Sequence, residues 1–495
     1  MSSRRSELTV LALSLAFGAA TAQAQGAQQA PPSSKAVVMK GNAPVNEKVL
    51  EVKLPRAKEG DLANGIHLIV LEDHRAPQVT FQLLIPGAGG YFDAPISIGL
   101  ASMTASMMRE GTATRNTNQI SEQLETMSAN VGVGTGMTSL DATMSGSALT
   151  EDIEKLFDLS ADILLHPSFP DEELAKYKAR TKTGLNQNRS FPGFLAQELY
   201  QKVMYGDDAA GRLLMTPDQV DKVTRAQMVE FHRTRYVPDH AAIAFAGDIS
   251  YDRAKQLVES RLGAWKTSGA PLLAAKEPPP IGPAKVWLVD RPNSVQTNFI
   301  VGTQAIERTN PDYNVLEVMN QVVGGGPTGR LFVHLREEKG YTYGAYSGLS
   351  AGRYRGTWSA STDVRSDVTE PALKDLLGEL VAIRDTIVPA KELQDRKRAL
   401  VASFALSLES PQQILSYYTT RWIYKLPADY WDKYPQRVMS VTAGQVQAAA
   451  RKYLDPAHMQ IVAVGDGKKV EEILRKFGPL QVYDTEGKKV MGIVP

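Results

Sequence analysis

Hydrophobic and polar positions follow two periods along the chain, and together they predict interleaved strands and helices. β-branched runs with a two-residue period predict strands at Ile66–Leu71, Val79–Ile85, Val286–Val289 and Thr297–Val301. Longer segments with a helical period predict helices at Gly99–Arg109, Asn118–Ser128, Asp152–Leu165 and Asp171–Gln187. In each half a further strand ends in Gly-Asp and precedes one more helix. Because strict β-α-β alternation is missing, we predict an α+β fold with mostly antiparallel sheets.

The pattern of the first half recurs in the second half at a constant offset. Val223, Pro238, His240 and Gly247 correspond to Val441, Pro456, His458 and Gly465, each 218 positions later. This recurrence predicts two homologous α/β sandwich-like domains, each a mostly antiparallel sheet packed with helices. Between them lies a segment that contains Pro278–Pro280. It predicts a Pro-rich linker, because Pro continues neither a helix nor an inner strand.

The N-terminus has the pattern of an export signal. Arg4 and Arg5 precede an apolar run from Leu8 to Ala20, and small residues at Ala22 and Ala24 are typical of signal peptidase cleavage. We predict cleavage after Ala24 and a periplasmic protein. An uncleaved anchor is the alternative, although the run is shorter than the roughly 20 residues that span a bilayer. We expect no membrane span in the mature chain.

These breaks divide the chain into six predicted segments. They are a signal peptide (1–24), a flexible leader (25–45), an N-terminal domain (46–268), a linker (269–284), a C-terminal domain (285–480) and a C-terminal tail (481–495).

Charge and cysteine content narrow the classes of function. Lys and Arg number 55 and Asp and Glu 54, so the net charge of +1 disfavours nucleic acid or an anionic membrane as the main partner. The chain contains no cysteine, which excludes disulfides, a thiolate nucleophile and a Cys-ligated metal. The seven histidines are the only side chains that offer nitrogen ligands for a metal.

The segment from Ile98 to Thr112 resembles the inverted zinc-binding segment of the pitrilysin family of peptidases. The usual pattern of that family is Gly-Leu-Ala-His-x-x-Glu-His, followed after a few residues by Gly-Thr. The residues that match this frame are Gly99, Leu100, Ala101, Met107, Gly111 and Thr112. The reactive positions do not match, because Ser102 and Ser106 replace the two histidines and Ala105 replaces the glutamate.

This departure removes the chemistry that the family's motif supplies. Two histidines four positions apart lie on one helix face and reach one zinc, and the glutamate between them is the general base. Serine hydroxyls stay protonated near neutral pH and are poor ligands. The resemblance also implies a glutamate ligand about 75–80 residues downstream, but the matching window Thr181–Asn188 contains no acid. We therefore predict no metal in this chain, and an independently active zinc peptidase is disfavoured.

A second family signature is similar to the segment Val323–Tyr346. A Gly-rich turn precedes a helix that ends in Leu-Arg-Glu, and a strand carrying tyrosines follows. The resemblance implies that Arg336 and Tyr343 bind the substrate carbonyl and stabilise the oxyanion. The two-residue period of a strand places Tyr341 and Tyr343 on one face. The residues alone leave a structural alternative open, namely surface ion pairs at Arg336 and ordinary sheet packing of the tyrosines.

In part of this family, mitochondrial processing peptidase included, one subunit holds the zinc and the other is degenerate. The resemblance therefore implies the non-catalytic subunit of a periplasmic heterodimeric zinc peptidase, inactive alone. Its partner would be an exported homologue carrying His-x-x-Glu-His and the zinc, completed in trans by Arg336 and Tyr343. Unfolded peptide would add as a strand to exposed sheet edges. The alternative is a peptide-binding or scaffold protein of the cell envelope without peptidase activity.

Overall fold

Two six-stranded sheets covered by helices organise residues 50–490, the part of the chain that this computed structural model describes. This architecture confirms the predicted α+β fold with two sheet-and-helix domains. The predicted signal peptide and leader lie outside the described residues, as do the last five residues.

The first half begins with three strands, and five successive α-helices separate its fifth strand from its sixth. Its elements are β1 (Lys58–Asp61), β2 (His67–Glu72), β3 (Gln78–Pro86), α1 (Leu100–Met107), α2 (Thr117–Thr126), β4 (Asn130–Gly134), β5 (Asp141–Leu149), α3 (Ile153–Leu165), α4 (Asp171–Asn188), α5 (Pro192–Tyr205), α6 (Pro217–Lys222), α7 (Arg225–Arg235), β6 (Ala242–Gly247) and α8 (Tyr251–Leu262).

The second half follows a similar order. Its elements are β7 (Val286–Asp290), β8 (Gln296–Gln304), α9 (Tyr313–Val323), α10 (Arg330–Phe332), β9 (Ala345–Ser350), β10 (Thr357–Arg365), α11 (Thr369–Asp385), α12 (Ala390–Ser407), α13 (Pro411–Ile423), α14 (Tyr434–Ser440), α15 (Ala443–Tyr453), β11 (Gln460–Gly465), α16 (Gly467–Arg475) and β12 (Leu480–Tyr483). Helix α10 continues as a π-helix over Val333–Glu338. The four strands and four helices predicted with bounds are all present, with their ends shifted by a few residues, and so are the strand ending in Gly and the helix after it in each half.

The strand order shows that the sequence repeat is also a repeat in space. The first sheet runs β1-β2-β6-β3-β5-β4 and the second β12-β7-β11-β8-β10-β9, so five successive strands correspond. Neighbouring strands are antiparallel except for the pairs β2–β6, β7–β11 and β7–β12, which confirms the mostly antiparallel prediction.

The two sheets differ at one edge. In the first sheet β1 comes from the start of the described chain, whereas β12 closes the second sheet from its end. Strand β12 begins at residue 480, the position of the predicted boundary between the C-terminal domain and the tail. The backbone of Val490 also donates a hydrogen bond to Val482, so the chain beyond 480 continues the sheet edge.

Each half lends one helix to the sheet of the other half. Helix α5 packs on the second sheet, where Leu199 and Tyr200 share a core with Ile300 and Val462. Helix α13 packs on the first sheet, and Ile414 shares a core with the β-strand residues there. Because the exchange is reciprocal, neither half buries its own sheet completely without the other.

The predicted linker 269–284 lies in a stretch between α8 and β7 that contains neither helix nor strand. The start of the linker contacts the first half, because the carboxylate of Asp239 accepts hydrogen bonds from the backbone N–H groups of Ser268 and Gly269.

Candidate functional site

Helix α1 carries the three positions where the sequence has lost the reactive residues. Gly99 precedes it with a φ of 93°, and a β-carbon there would collide with the side chain of Met215. The buried carboxylate of Asp93 accepts hydrogen bonds from the N–H groups of Gly99 at 2.8 Å and Ala101 at 3.1 Å. Burial raises the pKa of Asp93 to about 6. The start of α1 is thus rigidly placed.

The hydroxyl groups on α1 have partners within the protein. Ser102 donates to the carbonyl of Gly99 at 3.1 Å. Ser106 accepts a hydrogen bond from the phenolic hydroxyl of Tyr177 on α4, at 3.2 Å. The side chain of Ala105 is completely buried. The two serines are therefore engaged in local hydrogen bonds, and Ala105 has no donor or acceptor to offer.

Helix α4 contains the window where the family's third ligand would lie. Its acidic residues Asp171, Glu172 and Glu173 occupy the first turn, at the end of the helix opposite to residues 181–188. Thr183 within the window donates its hydroxyl to the carbonyl of Ala179. No carboxylate from α4 therefore follows the expected spacing.

Arg336 lies in the π-helix of the second half and is 44% exposed. Its guanidinium carbon is 4.7 Å from the centroid of the Phe332 ring, and its Nε is 3.5 Å from a carboxylate oxygen of the exposed Glu337. Such a solvent-exposed pair is weak. The guanidinium is therefore accessible from outside the chain.

The structure corrects the prediction that Tyr341 and Tyr343 lie on a strand. Strand β9 begins only at Ala345, because the hydroxyl of Thr342 both donates to the carbonyl of Gly344 and accepts from its N–H group, each at 3.0 Å. This local ring is a turn rather than an extended chain. It leaves the Tyr343 side chain 89% exposed.

Within residues 50–490, no hydrogen bond joins Arg336 or Tyr343 to each other or to helix α1. The structure thus places the two predicted site residues on an exposed segment of the second half. Of the three replaced positions on α1 in the first half, Ala105 is buried and the two serines are partly buried.

Family models match both halves. Residues 68–218 match "Insulinase (Peptidase family M16)", and residues 222–400 match "Peptidase M16 inactive domain". The chain belongs to the M16 peptidase family. M16 is the pitrilysin-type family, so the predicted resemblance is confirmed.

Bacterial M16 relatives are similar over most of the chain. An uncharacterised zinc protease of Bacillus subtilis, YmxG, is 24% identical over 355 residues, which cover 71% of this chain and 85% of the relative. An uncharacterised zinc protease of Streptomyces coelicolor is 24% identical over 376 residues, covering 74% of this chain and 80% of the relative.

Solved structures extend the M16 likeness to the fold. A structure described as a peptidase M16 inactive domain from Pseudomonas fluorescens has a TM-score of 0.77 and 28% identity, covering 83% of this chain and 98% of that chain. A protease from Helicobacter pylori has a TM-score of 0.76 at 14% identity, with coverages of 83% and 100%.

The residues of this M16 chain do not fit the zinc of the relatives that are named zinc proteases. Two alcohols and a methyl group stand where two imidazoles and a carboxylate would be needed, and both alcohols are already hydrogen-bonded. Throughout residues 50–490, no three His, Asp or Glu side chains are arranged to hold a metal ion. Nor does any helix in this range have the length and apolar content to cross a membrane.

Two residues that hydrogen-bond to helix α1 were not identified from the sequence. Tyr177 lies 71 positions after its partner Ser106, and no known spacing links them. Asp93 accepts from the first N–H groups of the helix, as an N-cap does, but from six residues before Gly99. An acid before a helix is a usual capping signal only at the adjoining position.

Proposed function

We propose that this chain is the non-catalytic subunit of a periplasmic heterodimeric zinc peptidase. Its partner is an exported M16 homologue that carries His-x-x-Glu-His and the zinc. One contrast supports the proposal above all. The metal-binding positions on α1 hold no ligand or base, whereas Arg336 and Tyr343, which match the family's second signature, project into solvent.

Arg336 and Tyr343 have the chemistry for a role in trans. A guanidinium is always charged and offers several N–H donors to an oxygen, and the Tyr343 hydroxyl can donate to the same atom. Both would bind the carbonyl oxygen of the peptide bond being cleaved and stabilise the negative charge that develops there. Their exposure supports this role, because a partner subunit can reach both side chains.

The peptide would bind along an open sheet edge. Strand β4 pairs only with β5 and β9 only with β10 among the described strands. On β4, the space beside Gly132 and Gly134 is open where a side chain would start. Because the outer edge of β4 pairs with no described strand, an extended peptide can add there as a further strand.

Isolation of the tagged mature protein from the envelope of its host tests the partnership. We expect a near-equimolar homologue with His-x-x-Glu-His, identified by mass spectrometry. If the protein is recovered alone or only with itself, the heterodimer is contradicted, and a peptide-binding or scaffold role becomes the better account.

Substitution in the isolated complex tests the role in trans. Arg336→Ala should lower the peptidase rate by about 10²-fold, the scale for losing an oxyanion donor. Arg233→Ala is a matched control, because Arg233 is an exposed arginine that pairs with Glu230 on helix α7 in the other half. A rate for Arg336→Ala within a few-fold of the wild type would contradict the role.

A further inference from the structure

A cavity of about 360 Å³ lies in the second half, among helices α9, α12, α13 and the chain leading into α14. We call it the aromatic cavity. Its aromatic walls are formed by Tyr313, Phe404, Tyr417, Trp431 and Tyr434. None of the residues that line it belongs to α1 or to the segment around Arg336. Its volume is within the range of small-molecule sites, about 300–1,000 Å³.

A buried arginine that forms no close ion pair lines the aromatic cavity. Arg308 is only 8% exposed. Its guanidinium carbon lies 3.6 Å from the centroid of the Tyr313 ring, and its Nη1 donates to the hydroxyl of Tyr430 at 3.0 Å. Among the described residues no acidic oxygen lies within 4.0 Å of its nitrogens, and the carboxylate that attracts its charge, from further away, is that of Glu317. Buried charges are normally paired, because removal from water is costly.

A glutamate in the same cavity has one carboxylate oxygen without a hydrogen-bond partner, although the charge of Arg308 and the hydroxyl of Tyr313 both favour its ionised form. Glu317 follows Tyr313 by one turn of α9, and its Oε2 is buried with no hydrogen-bond partner among the described residues. Burial raises the pKa of Glu317 to about 7. Buried polar atoms without partners are rare in native proteins, so the free oxygen of Glu317, close to a buried arginine that has only a phenol as its hydrogen-bond acceptor, requires an explanation.

We propose that the aromatic cavity binds a free α-amino acid as its zwitterion. The ligand carboxylate accepts hydrogen bonds from Arg308, the ammonium group donates to Glu317, and the aromatic walls hold an apolar or aromatic side chain. This ligand gives the guanidinium of Arg308 a carboxylate and the free oxygen of Glu317 a donor, and its two opposite charges sit on adjacent carbons. The site requires such proximity, because Arg308 stacks on Tyr313, one helical turn from Glu317. The proposal is independent of the peptidase partnership.

Titration calorimetry of the purified mature chain tests the ligand class. The probes are L-phenylalanine, 3-phenylpropionate, which lacks the ammonium group, and 2-phenylethylamine, which lacks the carboxylate. We expect L-phenylalanine to bind and each analogue to bind at least tenfold more weakly. Absence of binding up to about 10 mM L-phenylalanine would overturn the proposal, as would equal affinity for either analogue.

Two variants locate the binding. Glu317→Gln keeps the shape of the side chain but removes its charge, and Ser403→Trp fills the mouth of the cavity from an exposed position on α12. Each should weaken L-phenylalanine at least tenfold. Ala402→Trp is the matched control, because Ala402 is exposed beside Ser403 but does not line the cavity. Unchanged affinity in both variants overturns the proposal, and circular dichroism verifies folding of all three.

Discussion

Helices α5 and α13 occupy equivalent positions in the repeat, yet their tyrosine side chains make different contacts. On α5 the fully buried Tyr200 closes onto β8, where a β-carbon on Gly302 would meet its hydroxyl oxygen. On α13, Tyr418 binds the N-terminal segment through the backbone of Pro55 and Ala57, and Tyr417 lines the aromatic cavity. The repeat thus preserves the exchange of helices, but the side chains that α5 and α13 place against their neighbours differ. Cavities of ligand size border both helices, about 480 Å³ beside Leu199 of α5 and about 360 Å³ beside Tyr417 of α13, but the second is the one with five aromatic side chains in its walls.

The polar side chains of the two halves differ in how far their hydrogen-bonding groups are already occupied within the protein. On α1 in the first half, Ser102 and Ser106 are hydrogen-bonded inside the protein. In the second half, Glu317 has an oxygen without a partner, and Arg336 and Tyr343 are exposed. A side chain that is already hydrogen-bonded within the protein has fewer free donors and acceptors for a ligand. Among these serine, glutamate, arginine and tyrosine side chains, those with exposed or unpartnered polar atoms lie in the second half, whereas the open edge of β4 lies in the first half.

The largest effect is expected from breaking the helix exchange. Tyr200→Ala should lower the free energy of unfolding by about 3–5 kcal/mol, because it empties a fully buried aromatic site and removes a hydrogen bond to Trp358. Tyr418→Ala should lower the free energy of unfolding by nearly as much. Urea denaturation measures both. Phe191→Ala is the control, because Phe191 lies just before α5 and is 54% exposed. A loss for Tyr200→Ala no greater than for this control would refute the anchoring role of α5.

Restoring the glutamate of the family's motif at position 105 should cause the next largest loss of stability. Ala105→Glu places a carboxylate at a completely buried position that offers it no partner, and we expect a loss of about 3 kcal/mol in unfolding free energy. Ser102→Glu, one turn earlier at a half-buried position, should cost clearly less. Equal stability of Ala105→Glu and the wild type would mean that the first half still has room for the catalytic glutamate.

A pH dependence of stability should reveal the buried Asp93. Its pKa is about 6 in the folded chain against 3.8 for an ordinary aspartate, so the folded state binds the proton more tightly. The unfolding free energy should therefore fall by about 2 kcal/mol as the pH rises from about 4 to about 6. Asp93→Asn lacks this titration. Parallel pH profiles of the wild type and Asp93→Asn in urea denaturation would contradict the raised pKa.

The smallest effect is expected at the hydrogen bond that occupies Ser106. Tyr177→Phe removes the donor and should lower the unfolding free energy by about 1 kcal/mol. A double-mutant cycle with Ser106→Ala isolates the pair, because neither substitution should add to the other once the bond is lost. Fully additive losses would show that the two hydroxyls do not stabilise each other.

Sequence patterns alone determined most of the secondary structure, the repeat and the loss of the metal-binding residues. The strands β2 and β3 and the helices α3 and α4 follow from the spacing of apolar residues, which is a local property. The replacement of the motif by Ser102, Ala105 and Ser106 is visible in the sequence because the ligands of one helix lie four positions apart.

Only the tertiary structure decided the features that depend on distant residues. The exchange of α5 and α13, the bond from Tyr177 to Ser106 and the cavity beside Arg308 join segments separated by dozens of positions. Locally, the turn closed by Thr342 replaced a strand that the alternation of tyrosines had predicted. The physical reason is common to all of these. Burial and hydrogen-bond partners depend on which segments meet, and the period of one segment carries no information about its neighbour.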